Sequence, residues 1–182
     1  YLRYGSGSWS GLHAECIISD YVVPLCSPEY RERMRPESDD PVRQIAGARL
    51  IHSVKALYQW NLWLAVQGID APDEQAPLRF DRSSMAIQLA RDGAGVVLDS
   101  VTLAYDELQH GTLVPLSPVF AAVEFPAYWV VCPTRHMNRR IVRLFIDWLQ
   151  GHGANFQTAA RELLESLGCP TRTAEAGEPG LL

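Results

Sequence analysis

Between Tyr21 and Leu116 the chain follows one short apolar run after another with a capped helical start, and this alternation confines it to a layered α/β fold. Tyr21 to Cys26 is rich in β-branched and aromatic bulk and predicts a strand, which Ser27-Pro28 stops. Ser27 is a natural N-cap and Pro28 a natural first helical residue, so Pro28 to Met34 is expected to be a short helix. Asp40-Pro41 repeats the signal ahead of about two helical turns ending near Gly47, after which Arg49 to His52 returns to strand. Helix Leu57 to Gln67 with a left-handed stop at Gly68, strand Leu78 to Phe80, helix Ser84 to Asp92, strand Gly95 to Leu98, helix Leu103 to Gln109 and strand Leu113 to Leu116 follow in turn. Short connections between such elements predict a mainly parallel sheet.

The flanks carry the same signals less regularly. Tyr1 to Tyr4 reads as the end of a strand, and Gly5 to Gly11 is too glycine-rich for helix or sheet. Ala14 to Ile18 predicts a strand separate from Tyr21 to Cys26, and Tyr128 to Cys132 predicts the last one. From Met137 to Gln150, Ile141, Leu144, Phe145, Trp148 and Leu149 recur at steps of three and four, giving a wide apolar stripe opposite Arg139, Arg140, Arg143 and Asp147. Gly151 and Gly153 are expected to end that helix, with a small amphipathic helix at Ala159 to Leu167 and a mobile tail from Thr171.

Composition then excludes several function classes. A net charge of −5, with Lys55 the only lysine, opposes binding to phosphate backbones, and the basic cluster Arg135, His136, Arg139, Arg140 and Arg143 reads as a solvated helix face. Cys16, Cys26, Cys132 and Cys169 are scattered without CxxC spacing, and His13, His52, His110, His136 and His152 form no HxxxH or HExxH pair, so no metal site is expected. The cysteines read as small buried hydrophobes of a reducing cytoplasm. No export signal and no apolar run of about 20 residues appears, which predicts a cytoplasmic location without a membrane partner. The sequence begins at Tyr1 rather than methionine, leaving a removed or missing segment open.

Catalytic chemistry finds no motif. Gly5-Ser6-Gly7-Ser8 lacks the strand-to-helix context of a nucleophile elbow, and Gly93-Ala94-Gly95 precedes a strand where a dinucleotide fingerprint precedes a helix. The acidic pairs Asp39-Asp40 and Asp73-Glu74 lie beside prolines in polar connections, and no cofactor is expected. The turn Phe80-Asp81-Arg82-Ser83-Ser84 stands apart, because it delivers a strand end into a helix whose first amides have no intrahelical partner. With Arg82 and the serine hydroxyls, those amides suit a carboxylate or other polar ligand group. An ordinary N-cap by Ser83 or Ser84 fits the same residues, and locally both roles stay open. His52, at the end of an apolar strand, is a second candidate for facing a cleft.

Read in order, several segments resemble the effector-sensing domain of LysR-type transcriptional regulators, in particular the glycine-cleavage and β-lactamase activator subgroup. Leu2 to Leu12 resembles "(I/L)RYGxGxWxGL", Val23 to Pro28 "PVCSP" and Trp60 to Leu64 "WxxWL". Phe80 to Ala90 is similar to "FDDSSLALQAA" and Asp92 to Val96 to "DGQGVA", and the likeness continues through Gly111 to Val114, Tyr128 to Pro133 and the helix holding Phe145, Asp147, Trp148 and Leu149. The resemblance implies a two-lobed, periplasmic-binding-protein-like (type 2) α/β fold, with residues 1–26 and 114–150 in one lobe, 27–113 in the other, and 151–182 forming a C-terminal helix and tail. The family's winged helix-turn-helix, linker helix and first quarter of the sensing domain find no counterpart, so the expected fold is incomplete at its N-terminus. A small polar or anionic effector would sit between the lobes, touched by Ser83, Ser84, Arg82, His52, Ser53 and Ser100 from one lobe and Tyr4 and Trp9 from the other. The implied protein is not an enzyme. It self-associates as a dimer or tetramer and meets DNA only through a helix-turn-helix absent from this chain. The alternatives are a solute-binding protein of a transport system and a truncated, non-sensing dimerisation module built on Ala14 to Ile18 or Met137 to Gln150.

Overall fold

A computed structural model describes residues 1–34, 40–70 and 78–174. The residues Asp39, Asp73 and Glu74 and the tail from 175 to 182 lie outside them. Chain order is β1 (Leu2–Tyr4), β2 (Leu12–Cys26), α1 (Pro28–Arg33), α2 (Pro41–Ala46), β3 (Leu50–Ser53), α3 (Trp60–Gln67), β4 (Leu78–Phe80), α4 (Ser83–Arg91), β5 (Val96–Ser100), α5 (Tyr105–Gln109), β6 (Val114–Pro115), β7 (Ala122–Pro133), α6 (Arg140–Ser166) and β8 (Thr171–Thr173).

Local chemistry sets the helix starts as the sequence implies. Ser27 Oγ accepts from Tyr30 N at 3.1 Å and Asp40 Oδ1 from Val42 N at 3.0 Å, each with proline in the first turn. Gly68, at φ 68°, closes α3 in the left-handed conformation that only glycine adopts without strain.

The strands form one open sheet in the order β1-β7-β2-β5-β3-β4, with β6 beside β2 and β8 beside β7. It is mixed rather than mainly parallel. Pairings β3–β4, β3–β5 and β7–β8 are parallel, whereas β1–β7, β2–β5, β2–β6 and β2–β7 are antiparallel. Parallel order belongs to the strand-helix repeat around β3, whose crossovers are α3 and α4. The long β2 and β7 run against each other instead and carry most of the pairing.

β2 is also one strand of 15 residues where two were expected. Register irregularities on either side of Ile18 take up the bend, and Ser19 and Asp20 continue the ladder opposite Pro126 and Phe125.

Apolar side chains cover both faces. On one, Trp60, Trp63, Tyr58, Phe120, Phe125, Val22 and Leu98 pack with residues of α1, α2 and α3; on the other, Tyr21, Leu25, Ile51 and Val97 pack with Ile87, Leu108, Ala160 and Leu164 of α4, α5 and α6. Sheet alternation accounts for the division, because Val22 and Cys26 point one way and Tyr21, Val23 and Leu25 the other.

α6 departs most from expectation. It runs 27 residues without interruption, through both glycines expected to end it, and takes in the expected Ala159 to Leu167 helix up to Ser166, with Leu167 as its C-cap. At Gly153 a Cβ would collide with the Ile17 carbonyl oxygen, so glycine here lets the helix lie against the bulged part of β2. Its buried positions are Ile146, Gly153, Ala160 and Leu164, while Ile141, Leu144, Phe145 and Trp148 of the expected stripe are 72%, 51%, 49% and 57% exposed. The tail also starts as structure, since Thr171–Thr173 pairs with Ala122–Glu124 of β7.

Candidate functional site: the polar ends of β3, β5 and α4

The C-terminal ends of β3 and β5 and the N-terminus of α4 converge beside β1, β2 and β7. Ser53, the last residue of β3, donates its hydroxyl to the Asp99 carboxylate on β5. Ser83, the first residue of α4, hydrogen-bonds the same carboxylate, and Ser100 N donates to Asp99 Oδ1 at 2.8 Å. Ser53 and Ser100 are buried and Ser83 is half-buried. The N-cap of α4 is Arg82, which makes no side-chain cap bond, so neither serine caps the helix and its first amides keep their donor capacity without a side-chain acceptor.

Arg82 and Ser84 are exposed at this helix start, and Lys55 lies 3.9 Å from Asp81 beside it. His52 and Ser53 line a cavity of about 240 Å³ together with Gln59, Trp60, Arg79 and Leu98. Trp60 is held there by its indole N–H, which donates to Ile51 O at 2.9 Å.

From the other side comes Tyr4. Its hydroxyl accepts from Leu57 N at 3.1 Å, bridging β1 to the loop before α3, and its ring lies 5.2 Å from that of Tyr128. Burial pushes both phenols up, that of Tyr128 to about 12, and the negative charges of Asp20 and Asp99 act on both in the same direction.

The structure does not bring Trp9 to this cluster. Register pairs Arg3 with Trp129 and Tyr4 with Tyr128, and successive residues of a strand point to opposite faces. Trp9 packs edge-on to Trp129 at 6.3 Å with the Arg3 guanidinium over its ring, on the face turned away from Tyr4.

Sequence reading passed over four residues that the structure places here: Asp20, Asp99, Thr102 and Tyr128. Asp20 Oδ1 accepts from Tyr21 N at 2.9 Å, Thr102 N at 3.2 Å and Thr102 Oγ1 at 2.8 Å, while its Oδ2 is buried without a hydrogen-bond partner among the described residues. Burial raises the Asp20 carboxyl to about 6 despite the Ser100 and Thr102 hydroxyls, and it raises that of Asp99 against the pull of Ser53, the Ser100 amide and Ser83. The available signal was an acid set inside a run of strand-forming residues, in Ile18-Ser19-Asp20-Tyr21-Val22 and in Val97-Leu98-Asp99-Ser100.

The arrangement offers hydrogen-bond donors, hydroxyls, carboxylates and aromatic walls, which is the equipment of a small-molecule site. Among the described residues, no three His, Cys, Asp or Glu side chains are placed to share a metal ion, and no helix is long and apolar enough to cross a membrane.

Such a sheet, with a polar cleft at its strand ends, defines a ligand-binding domain of the periplasmic-binding-protein type. The chain belongs to the LysR substrate binding domain family, which matches residues 1–154. It is 36% identical over 129 residues to the HTH-type transcriptional regulator PerR of Escherichia coli K12, covering 70% of this chain and 41% of that protein. It is 27% identical over 159 residues to the glycine cleavage system transcriptional activator of the same organism, covering 87% and 50%. The effector domain of the transcriptional regulator AmpR of Pseudomonas aeruginosa shares the fold, with TM-score 0.68 and 22% identity over 87% of this chain and 73% of that one. The chain thus spans about half the length, or less, of these two regulators.

Proposed function

We propose that this chain is the effector-sensing portion of a LysR-type DNA-binding transcriptional regulator and that a small polar metabolite binds between two lobes, 27–113 on one side and 1–26 with 114–150 on the other. The carrying observation is the uncapped start of α4, with Ser83 and Ser53 both tied to Asp99, standing beside a cavity that His52 lines. The α4 amides, Ser84 and Arg82 receive an anionic or carbonyl group of the ligand. His52, Ser53 and Ser100 form the wall of the same lobe, and Tyr4 with Tyr128 closes from the other.

β2 and β7 are the crossing strands in this reading, since β2 pairs with both β5 and β7. A ligand that holds the two sides at a new angle shifts an attached DNA-binding dimer or tetramer by differential affinity for its arrangements. The named relatives are transcriptional regulators, which favours regulation over transport.

The test is a thermal-shift screen of small carboxylates and amino acids on the chain, repeated on Ser83→Ala/Ser84→Ala. The double variant is expected to lose ligand stabilisation while melting within a few degrees of the parent. Undiminished binding in that variant excludes the α4 seat.

A further inference from the structure

Asp20 and Asp99 are an unusual pair to find beside a ligand cavity. Both are buried, and among the described residues neither has an ion-pair partner. A buried carboxylate normally keeps its charge only with a cation or a full set of donors around it. Asp20 has three hydrogen bonds on Oδ1 and the Ser100 hydroxyl beside the carboxylate, but among the described residues no cation.

Strand register places Asp20 on the sheet face that the cavity shares. Leu98, which lines the cavity, lies opposite Pro24, and Ser100 lies opposite Val22, so Leu98, Ser100 and Val22 share one sheet face. Asp20 is two residues from Val22 on β2 and lies opposite Phe125, which packs on that same face with Trp60 of the cavity wall. From Leu98 the face therefore runs through Ser100 to Asp20, and the Tyr4–Tyr128 pair adjoins it.

On the opposite face Asp99 is joined to Ser83 at the start of α4. A negative field at the C-terminal end of β5 and the adjoining middle of β2 thus stands next to a helix start that attracts anions. One kind of small molecule satisfies both.

We propose that the effector is zwitterionic, carrying an ammonium group that enters the field of Asp20 and Asp99 beside the anionic group seated at α4. The inference rests on the cleft reading above and narrows its ligand from polar or anionic metabolites to compounds with a primary amine close to a carboxylate. An ammonium supplies the cation and donors that Asp20 Oδ2 lacks. A hydroxyl in the same position supplies one hydrogen bond and no charge, so the site discriminates between isosteres.

The test uses isosteric pairs on the full 182-residue chain: glycine with glycolate, L-alanine with L-lactate, L-serine with D-glycerate and β-alanine with 3-hydroxypropionate, read by thermal shift and calorimetry. At least one amino member is expected to bind about tenfold or more tightly than its hydroxy partner. That preference is expected to fall away in Asp20→Asn and, independently, in Asp99→Asn, either of which suffices if the other fails to fold.

Hydroxy acids binding as well as the amino compounds overturn the ammonium assignment. If that binding is lost in Ser83→Ala/Ser84→Ala, the cleft reading survives, and if it is not, both fall. An amino preference that persists unchanged in both Asp variants overturns the proposal, as does a panel in which no amino compound binds.

Discussion

Asp20 gives the most exacting test of the electrostatics, because its burial fixes the sign of the effect. Its carboxyl rises from 3.8 to about 6 on folding, mainly through loss of solvation. Each pH unit between those values is worth about 1.4 kcal/mol, so keeping this group ionised costs the fold about 3 kcal/mol. Because the native state holds its proton to higher pH than the unfolded chain does, the Asp20 contribution is most favourable below pH 4 and is lost as pH rises through about 6. In Asp20→Asn the amide oxygen keeps the place that accepts from Tyr21 and Thr102, and the amide nitrogen takes the site of the orphan oxygen without charge. Urea unfolding of parent and variant at steps between about pH 4 and 8 is expected to show little difference at the acid end. The variant should gain up to about 3 kcal/mol at the alkaline end, most of it appearing between about pH 4 and 6. Asp99 titrates in the same sense in both proteins and leaves the difference to Asp20. A variant less stable than the parent at pH 8, or a gain that does not change with pH, would refute the reasoning.

The two glycines of α6 are expected to respond in opposite directions. Gly151→Ala meets nothing within 4 Å and should stabilise by up to about 1 kcal/mol, whereas Gly153→Ala drives its Cβ into the Ile17 carbonyl and should cost about 1 to 3 kcal/mol, both read as changes in denaturation midpoint. Ser27→Ala removes the acceptor for Tyr30 N at the start of α1 and is expected to cost about 1 kcal/mol by the same measurement, with Ser27→Gly costing less.

These cases also separate what the sequence could express from what it could not. Caps and prolines act over three or four residues, so α1 and α2 begin where Ser27-Pro28 and Asp40-Pro41 place them. Strand direction is settled by partners more than a hundred residues away, as where Leu12 meets Pro133, and nothing within the Ala14 to Cys26 segment encodes that meeting. Gly153 was read as a stop because helix termination and close helix approach call for the same residue, and only the position of Ile17 tells them apart. The expected gap between the Ala14 to Ile18 and Tyr21 to Cys26 strands, where Asp20 lies, has a similar reason. A charged residue ends a run when it is solvated and continues it when it is buried. The ordered motifs carried the family, but that Trp9 packs on the face of Arg3 and Trp129, away from Tyr4, depends on a register that is invisible in a glycine-rich segment.

Asp20 and Asp99 also bear on how a ligand would be felt across the fold. Both sit on strands that meet in the β2–β5 pair, and β2 continues into the β7 pair that carries Tyr4 through β1. A cation arriving at Asp20 removes a penalty of about 3 kcal/mol at neutral pH, and that release is available only in arrangements that bring the ligand to the carboxylate. Differential stabilisation of this size is enough to change the ratio of two arrangements by about a hundredfold. Under the proposed function, an isolated acid that weakens the ligand-free fold suits a sensor, because a bound effector would replace the destabilised state. The Asp20→Asn protein then carries a paired expectation: more stable without ligand at neutral pH, and less responsive to an amine-bearing compound when one is added. Gains in both properties would show that the buried charge is incidental to binding.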